Sequence, residues 1–214
     1  MCYVSDGKSL GPANRVGNVI ARIQNALAVQ ADWIQIREKD LAARELLALT
    51  RGALVAATGR DPAARVMVNE RLDIALAAGA AGVHFGAESL PACDVVHWLR
   101  GAQTPADFRV GVSCHSVDQA IQAQEDGASY IFFGPVFDTP AKRVFGAPQG
   151  IPSLRKVCRA VRIPVIAIGG VSGDNGADCI SAGAAGIAAI RWFQETDDTA
   201  ALRQAIDRLH GSQP

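Results

Sequence analysis

The feature that most constrains this chain is a repeating unit, in which a short apolar run rich in Val and Ile precedes a longer Ala- and Leu-rich stretch with helical spacing. This alternation is typical of βα units and not of hairpins. Eight units follow one another along the chain. The predicted strands are CYVSD (2–6), WIQIRE (33–38), RVMVN (65–69), GVHF (82–85), RVGVS (109–113), SYIFF (129–133), VIAIG (165–169) and GIAAI (186–190).

Helical segments follow these strands, and the spacing predicts them near 16–29, 41–57, 71–78, 91–100, 116–126, 152–161, 174–182 and 198–210. Three of the helices end in the same way. A glycine comes after the last helical turn in LAAGAAGVHF (76–85), QEDGASYIFF (124–133) and SAGAAGIAAI (181–190). We therefore expect a left-handed C-cap at each of these glycines.

The strands are apolar on both faces, which suits a parallel sheet covered by helices. Eight such units in 214 residues, of which 49% are hydrophobic, favour an α/β fold with a single (β/α)8 TIM barrel domain over residues 1–214. The alternative is an open doubly wound sheet. That fold usually shows a G-x-G-x-x-G turn after its first strand, whereas DGKSLGP (6–12) follows the first strand here.

Composition narrows the functional class and the cellular location. Basic and acidic residues both number 21, so no global field favours nucleic acid or an anionic membrane. The 5 cysteines lack the short paired spacings of a zinc site, and their odd number argues against a secreted disulfide framework. The sequence shows neither a basic-then-apolar leader nor an apolar run of about 18 residues, so we expect a cytoplasmic protein.

The second predicted strand ends in QIREKD, at the end of the barrel where the chemistry of this fold takes place. Gln35, Arg37 and Lys39 alternate there and therefore project to one face. Two cations so close together favour an anion between them, and a diphosphate offers both charge and acceptors. In the alternative, Arg37 and Lys39 pair with Glu38 and Asp40 at a solvated rim.

The ends of the third and fourth strands offer metal ligands or helix caps. Asn69 can donate to a phosphate oxygen and Glu70 can ligate magnesium, although an Asn followed by charged residues also begins many helices. The turn in GVHFGAESLP (82–91) presents the same choice. Ser89, which precedes Leu90 and Pro91, fits an N-cap.

The fifth strand ends in GVSCHS and brings Ser113, His115 and Ser116 to the same end of the barrel. The S-V-D-Q spacing predicts that Ser116 caps the next helix. His115 projects towards the mouth, where it is either a general acid or base or a hydrogen-bonded rim residue. His84 lies within the fourth strand, and we expect it to be packed rather than catalytic.

Two later loops carry phosphate-binding features. The segment GPVFDTPAKRVFGAPQG (134–150) contains Thr139 and Lys142, and its length suggests a functional flap, with a disordered insertion as the alternative. Strand seven ends in AIGGVSGDN, where Gly169 and Gly170 permit close backbone approach. In many barrels a monophosphate binds the backbone amides of this loop, so we expect one here.

Six segments, in order and over nearly the whole chain, resemble the thiamine phosphate synthase and TenI family. They are QIREKD (35–40), VNERLDIAL (68–76), GVHFGAESLP (82–91), GVSCHS (111–116), FFGPVFDTPAK (132–142) and IPVIAIGGV (163–171). The resemblance implies a barrel enzyme that joins hydroxymethylpyrimidine diphosphate to thiazole phosphate and releases diphosphate with the aid of Mg²⁺.

The resemblance also assigns roles to the polar residues of the mouth. It implies a diphosphate cradle made of Gln35, Arg37, Lys39 and Asn69. It further implies that Ser113 contacts the pyrimidine, while Lys142 and Thr139 close over the phosphates. The thiazole phosphate would then lie on Gly169 and Gly170.

The chain departs from its relatives at the metal site. Relatives usually show Asn-Asp-Arg at positions 69–71 and Gly-Gln-x-Asp at positions 86–89, where this chain has NER and GAES. The carboxylates that remain as Mg²⁺ ligands are Glu70 and Glu88. Arg191 replaces a serine expected after the eighth strand, where it either adds a phosphate contact or crowds the thiazole phosphate.

Two other functions therefore stay open. The TenI branch resembles a thiazole tautomerase, in which His115 would transfer the proton without a metal. A barrel that binds phosphorylated metabolites without turnover is the third possibility, because function depends on the site and not on the fold. In each case the expected partners are small phosphorylated pyrimidine or thiazole molecules, with no nucleic acid and no membrane. A homo-oligomer is compatible with the sequence.

Overall fold

Parallel strands form one closed barrel in the computed structural model, which describes residues 1–59, 63–102, 104–139, 147–196 and 198–210. The strands are β1 (Cys2–Val4), β2 (Trp33–Ile36), β3 (Arg65–Asn69), β4 (Gly82–Phe85), β5 (Arg109–Cys114), β6 (Tyr130–Phe133), β7 (Val165–Ile168) and β8 (Gly186–Ala189). β1 pairs in parallel with β2 and with β8, so the sheet closes on itself. The predicted (β/α)8 TIM barrel is confirmed.

Helices follow the strands and cover the outside of the barrel. They are α1 (Arg15–Ala28), α2 (Ala43–Ala57), α3 (Leu72–Ala78), α4 (Ala92–Gly101), α5 (Val117–Glu125), α6 (Gly150–Ala160), α7 (Gly176–Ser181), α8 (Arg191–Glu195) and α9 (Thr199–His210). Each predicted strand and helix ends within 2 residues of the observed bounds. The sequence pattern missed α8 and the 3-10 helix Gly7–Leu10, because elements of 5 and 4 residues are too short to show a period. In the described ranges, no helix is long and apolar enough to cross a membrane.

The interior of the barrel is filled by side chains that the strands direct inwards. They are Cys2, Val4, Met67, Tyr130, Phe132 and Ala188. The Tyr130 ring occupies space that Gly111 leaves open, because an added Cβ at Gly111 would be only 2.1 Å from the ring Cζ. Trp33 packs edge-on against the same ring with the centroids 4.7 Å apart. Tyr130 is therefore held in one position deep in the barrel. A second, larger apolar cluster lies between the strands and the helices.

The connections between helices and strands match the expected glycine caps. Gly79, Gly127 and Gly183 have φ angles of 75°, 86° and 104°. These left-handed values are accessible to glycine at no steric cost, whereas residues with a Cβ rarely adopt them. Each glycine stands at the turn into the next strand, so the predicted C-caps are confirmed at all three positions.

Substitution of Gly79 by alanine tests the backbone requirement without a packing change. An added Cβ at Gly79 meets no atom within 4 Å, so the cost comes from the φ of 75° alone. We expect Gly79→Ala to lower the free energy of unfolding by about 1 kcal/mol. Urea denaturation followed by circular dichroism measures the change.

Gly101 provides the matched control for this substitution. It ends α4 with a φ outside the left-handed region, and an added Cβ there also meets nothing within 4 Å. We expect Gly101→Ala to leave the stability unchanged or to raise it, because alanine favours helix. Equal losses in the two variants would contradict the assignment of the cost at Gly79 to its backbone.

Candidate active site

The carboxyl ends of β2 and β3 place two amide side chains in contact. Gln35 is buried in β2, and its Nε2 donates to Oδ1 of Asn69 at 3.0 Å. The other amide atom of Gln35, Oε1, is buried without a hydrogen-bond partner in the part of the chain that the structure describes. Buried acceptors of this kind are nearly always satisfied, so Oε1 can accept a hydrogen bond from a donor beyond the described residues.

Arg15 binds both carboxylates of the QIREKD segment. Its guanidinium donates to Oε2 of Glu38 and, at 2.7 Å each, to both carboxylate oxygens of Asp40. Glu38 is buried, and it also accepts from Ser5 Oγ at 2.7 Å and from the Gly7 amide at 2.9 Å. The hydrogen bonds from Arg15 hold the pKa of Asp40 well below its usual range. The alternative in which Arg37 and Lys39 pair with these two carboxylates is therefore wrong.

Arg37 and Lys39 are left at the mouth as a result. Lys39 is exposed, and its Nζ lies 3.7 Å from Oε1 of Glu70. Arg37 is half-buried, its amide donates to Ser5 Oγ at 2.9 Å, and no carboxylate of the described residues pairs with its guanidinium. This edge of the mouth thus carries one unneutralised guanidinium and one ammonium with a single weak partner.

Glu70 adopts an unusual backbone conformation directly after β3. Its φ is 63°, in the left-handed region that a residue with a long side chain seldom occupies. Its amide donates to the carbonyl of His84 at 2.8 Å, and Ser89 Oγ donates to its Oε1 at 3.0 Å. A left-handed non-glycine residue costs about 1 to 2 kcal/mol, and such residues cluster at functional sites. The contacts on both sides of Glu70 hold it in this conformation.

Ser89 does not cap the helix that follows it. α4 begins at Ala92 with Pro91 as its N-cap, so the predicted N-cap at Ser89 is wrong. The hydroxyl of Ser89 instead accepts from the Gly86 amide at 3.1 Å while it donates to Glu70. The hydroxyl therefore bonds within the turn, and the helix begins too late in the chain for Ser89 to be its N-cap.

A buried histidine supports Ser113. His84 Nε2 lies 2.9 Å from Ser113 Oγ, and Nδ1 lies 3.1 Å from the hydroxyl of Tyr130. The ring of Phe132 packs against the imidazole with the centroids 4.3 Å apart. Burial lowers the pKa of His84 to about 3, so the ring is neutral at physiological pH. His84 is packed, as expected, but it also contacts the serine that we assigned to the substrate.

His115 is fixed at the rim by the backbone of the next strand. Its Nδ1 donates to the carbonyl of Gly134, and its amide donates to Oε1 of Gln119 at 2.6 Å. The side chain is exposed, which leaves Nε2 at the mouth. Ser116 caps α5 as predicted, because its Oγ accepts from the Gln119 amide at 3.1 Å. The role of His115 as acid or base stays a prediction.

The glycine pair after β7 packs against the start of the loop after β6. Gly169 and Gly170 have φ angles of 93° and 67°, and an added Cβ would lie 2.5 Å from Pro135 Cα and 2.7 Å from the Asp138 carbonyl oxygen, respectively. The Phe137 amide also donates to the Gly169 carbonyl at 2.9 Å. The two glycines are therefore required for the close approach of the two loops. In the described ranges, no group accepts from the Gly170 amide, which leaves that amide available to an anion.

The remaining predicted site residues have fewer contacts. Thr139 is half-buried at the end of the described part of its loop, and Arg191 is exposed at the first position of α8. Glu88 is exposed, and no contact in the described residues joins it to Glu70. Lys142 lies outside the described residues.

Comparison with known proteins identifies the family. The model of a family described as thiamine monophosphate synthase, TMP-TENI, matches residues 5–193. The thiamine-phosphate synthase of Moorella thermoacetica is 42% identical over 193 residues, covering 88% of this chain and 89% of that protein. The thiamine-phosphate synthase of Methanoculleus marisnigri is 39% identical over 208 residues, covering 97% of this chain and 94% of that protein. The chain belongs to the thiamine monophosphate synthase family.

Solved structures agree with this assignment. The thiamine phosphate pyrophosphorylase from Pyrococcus furiosus superposes with a TM-score of 0.82 at 28% identity, covering 97% of this chain and 93% of that chain. A 3-hexulose-6-phosphate synthase from Salmonella typhimurium superposes with a TM-score of 0.71 at 14% identity, covering 97% of this chain and 96% of that chain. At that identity the second likeness shows the barrel fold alone.

Sequence reasoning missed the supporting residues of this family member. Arg15 gave no signal, because it lies on α1 in an ordinary amphipathic pattern and meets Glu38 only in the folded chain. In the sequence, Tyr130 cannot be distinguished from the other aromatic residues of the buried strand β6. Glu38 gave no signal of burial either, because it stands between Arg37 and Lys39 in the charged segment QIREKD. Neither its burial nor its pairing with Arg15 could be read from the sequence.

Substitution of Arg15 tests the ion pair between Arg15 and the buried Glu38. Arg15→Met leaves the Glu38 side chain, which is 0% exposed, without its cation. We expect a loss of about 3 kcal/mol in the free energy of unfolding, because an uncompensated charge stays buried. Chemical denaturation of the purified variant measures it.

Arg71→Met is the matched control for Arg15→Met. Arg71 pairs with Asp73 at the surface, where the two side chains are 37% and 65% exposed. We expect this variant to lose less than about 1 kcal/mol. Similar losses at the two positions would show that Glu38 does not depend on Arg15.

Burial of His84 makes the free energy of unfolding depend on pH in a specific way. Its pKa is about 3 in the folded chain because of burial and about 6.5 when unfolded, so between these values only the unfolded chain takes up the proton. The free energy of unfolding should therefore fall as pH decreases from 6.5, by at most about 1.4 kcal/mol per pH unit from this group. We expect His84→Gln to remove this part of the slope in denaturation curves between pH 6.5 and 4.5. The exposed His97→Gln should keep it, and a His84→Gln slope equal to that of the wild type would contradict burial of a neutral imidazole.

Proposed function

We propose that this chain is a thiamine phosphate synthase that joins hydroxymethylpyrimidine diphosphate to thiazole phosphate and releases diphosphate. The observation that carries the proposal is the cationic edge at Arg37 and Lys39, which Arg15 leaves without its neighbouring carboxylates. Relatives of 42% and 39% identity that span most of the chain bear the same function in their names.

The diphosphate would bind at the edge formed by β2 and β3. A guanidinium and an ammonium that face one mouth repel each other, and an anion with several acceptor oxygens removes that cost. Arg37 would bind bidentately, Lys39 would act as a point charge, and Asn69 would donate from its free amide nitrogen. Lys39 would exchange its weak contact with Glu70, at 3.7 Å, for a phosphate oxygen.

The pyrimidine would bind between Gln35 and Ser113. Gln35 Oε1 is a buried acceptor without a partner among the described residues, so a donor on the ligand would satisfy it. Ser113 is half-buried on β5, and the strands that carry Asn69 and His84 lie between it and Gln35. These two polar groups can orient a flat heterocycle, while Ile168 and Ile190 provide the apolar surface.

The thiazole phosphate would bind at the loop after β7. The unoccupied Gly170 amide and the exposed guanidinium of Arg191 at the start of α8 both favour a phosphate there. Arg191 would then add a contact rather than crowd the ligand. Thr139 and Lys142 would contribute a hydroxyl and an ammonium from the loop after β6.

The chemistry is a displacement at the methylene carbon of the pyrimidine. The bond from this carbon to the diphosphate oxygen breaks, diphosphate leaves with the electron pair, and the thiazole nitrogen uses its lone pair to form the new C–N bond. The charge that develops on the leaving diphosphate is stabilised by Arg37 and Lys39, which are already in place. Positioning of the two substrates supplies the rest of the rate, because little proton transfer is needed.

The residues at this edge can hold Mg²⁺ with a small number of protein ligands. In the described residues, no group of 3 or more His, Cys, Asp and Glu side chains could hold a metal ion alone. Glu70 offers one carboxylate and Ser89 one hydroxyl oxygen. Mg²⁺ often takes only one or two carboxylates from a protein and completes its shell with waters and substrate phosphates. Glu70 would therefore hold a Mg²⁺ that is shared with the diphosphate, and the ion would supply charge neutralisation of the leaving group.

A coupled assay for thiamine phosphate and diphosphate tests the proposal. We expect product from the two substrates with Mg²⁺ present and a large loss after chelation. Glu70→Gln should raise the Mg²⁺ concentration needed for half-maximal rate by about tenfold, because it removes the carboxylate. Formation of no product under any metal condition would rule out the synthase.

Further variants separate the other possible functions. Glu88→Gln is the matched control for Glu70→Gln, and an equal effect of both would place Glu88 in the metal site as well. Proton exchange on thiazole phosphate that is lost in His115→Ala, without synthesis of thiamine phosphate, would identify a tautomerase. Calorimetric binding of either substrate without any turnover would identify a binding protein.

A further inference from the structure

Three side chains form a hydrogen-bonded row that begins deep in the barrel and ends at the mouth. Tyr130 Oη lies 3.1 Å from His84 Nδ1, and His84 Nε2 lies 2.9 Å from Ser113 Oγ. Tyr130 and His84 are each 1% exposed, whereas Ser113 is half-buried. The rings of Tyr130 and Phe132 lie against the imidazole, with centroids 5.5 and 4.3 Å away, so the imidazole is held in this orientation.

The number of protons in the row is limited. His84 is 1% exposed, and the partners of its ring among the described residues are a phenol and a hydroxyl rather than a carboxylate. The imidazole is therefore neutral and carries a single proton on one of its two nitrogens. Burial raises the pKa of Tyr130, so its phenol keeps its proton. Ser113 carries the third proton. Only two arrangements of these protons make both hydrogen bonds of the row.

The phenol proton decides between the two arrangements. In the described part of the chain, the only acceptor in hydrogen-bonding distance of Tyr130 Oη is His84 Nδ1. If Nδ1 carried the imidazole proton, the phenol proton would stay buried without an acceptor. The cost of a buried donor without an acceptor shifts the equilibrium between the two arrangements by about tenfold or more, towards the one in which the phenol donates. Tyr130 therefore donates to Nδ1, and the imidazole proton is on Nε2.

We propose that Tyr130 holds His84 as the Nε2–H tautomer, and that His84 thereby makes Ser113 a hydrogen-bond donor towards the substrate. Nε2–H donates to Ser113 Oγ, and the hydroxyl proton of Ser113 is left to point into the mouth. His84 is then a positioning residue, and the group that Ser113 recognises is an acceptor atom. If the proposed function holds, that acceptor is a ring nitrogen of the pyrimidine.

This arrangement also gives the mouth a defined pattern of donors and acceptors. Gln35 Oε1 is an unpartnered acceptor in the described residues, and Ser113 is a donor that His84 supports. A ligand that fits must therefore present a donor to Gln35 and an acceptor to Ser113. A heterocycle with the reverse pattern would leave buried groups unpaired on both sides, which strongly discriminates against it.

Nuclear magnetic resonance of the ¹⁵N-labelled protein tests the tautomer directly. Long-range ¹H–¹⁵N correlation spectra distinguish a neutral imidazole with its proton on Nε2 from one with its proton on Nδ1. The His84 signals are those that disappear in His84→Gln. We expect the Nε2–H pattern at pH 7, and an Nδ1–H or doubly protonated ring would overturn the inference. In Tyr130→Phe we expect both tautomers, whereas an unchanged pure Nε2–H pattern would show that Tyr130 does not set it.

Two substitutions of His84 test its action on Ser113. Glutamine can place an N–H donor near the position of Nε2, whereas asparagine places its amide near Nδ1 and does not reach Ser113. We expect His84→Gln to keep kcat/KM within about tenfold of the wild type, and His84→Asn to lose about a hundredfold. The loss should raise the KM of the pyrimidine substrate and leave that of thiazole phosphate unchanged. Equal losses in both variants would indicate a packing role alone.

The exposed His97 on α4 gives the matched control, because His97→Gln makes the same chemical change away from the barrel and should keep full activity. The spectra also separate this inference from the proposed function. A wild-type protein that shows the Nε2–H tautomer but makes no thiamine phosphate would refute the function and leave the tautomer assignment standing. An active protein with the Nδ1–H tautomer would overturn the inference alone.

Discussion

The pairing of β1 with β8 is the constraint on which the rest of the structure depends. It joins the first and last strands in parallel, so the carboxyl ends of all the strands meet in one ring. The polar residues Gln35, Asn69, His84 and Ser113 come from β2, β3, β4 and β5 and are adjacent only because these strands are neighbours in the closed sheet. An open sheet would separate the loops after β1 and β8, and Ser9 on the first loop would not reach Gln194 on α8 at 2.7 Å.

The acidic and basic side chains of the QIREKD segment lie on different sides of the strand in the closed barrel. α1 packs beside the loops after β1 and β2, and this places Arg15 between Glu38 and Asp40. Alternation along the chain sends Glu38 to one side and the neighbouring basic residues to the other. Arg15 thereby binds the carboxylates on the outer side of the strand and leaves the basic side chains on the inner side, where the proposed function would use them to stabilise the leaving diphosphate.

The turn around Glu70 joins the two positions at which the chain departs from the metal-binding pattern that its sequence resemblance implies. The Glu70 carboxylate accepts from the Ser89 hydroxyl at 3.0 Å. The left-handed backbone of Glu70 is held by the carbonyl of His84 on one side and by Ser89 on the other. The same strand β4 therefore contacts both the Glu70 turn, through the His84 backbone, and Ser113, through the His84 ring.

The sequence by itself determined the eight βα units, the glycine caps and the family, because these depend on local periodicity, on φ angles that only glycine adopts easily and on motifs that stay in order. Its errors fell where a polar side chain chooses among partners. Ser89 bonds to Glu70 instead of capping α4, and Glu38 bonds to Arg15 instead of Arg37. Only the tertiary structure decided these pairings, because residues 19 and 23 positions apart in the chain become neighbours through the closed sheet and its helices.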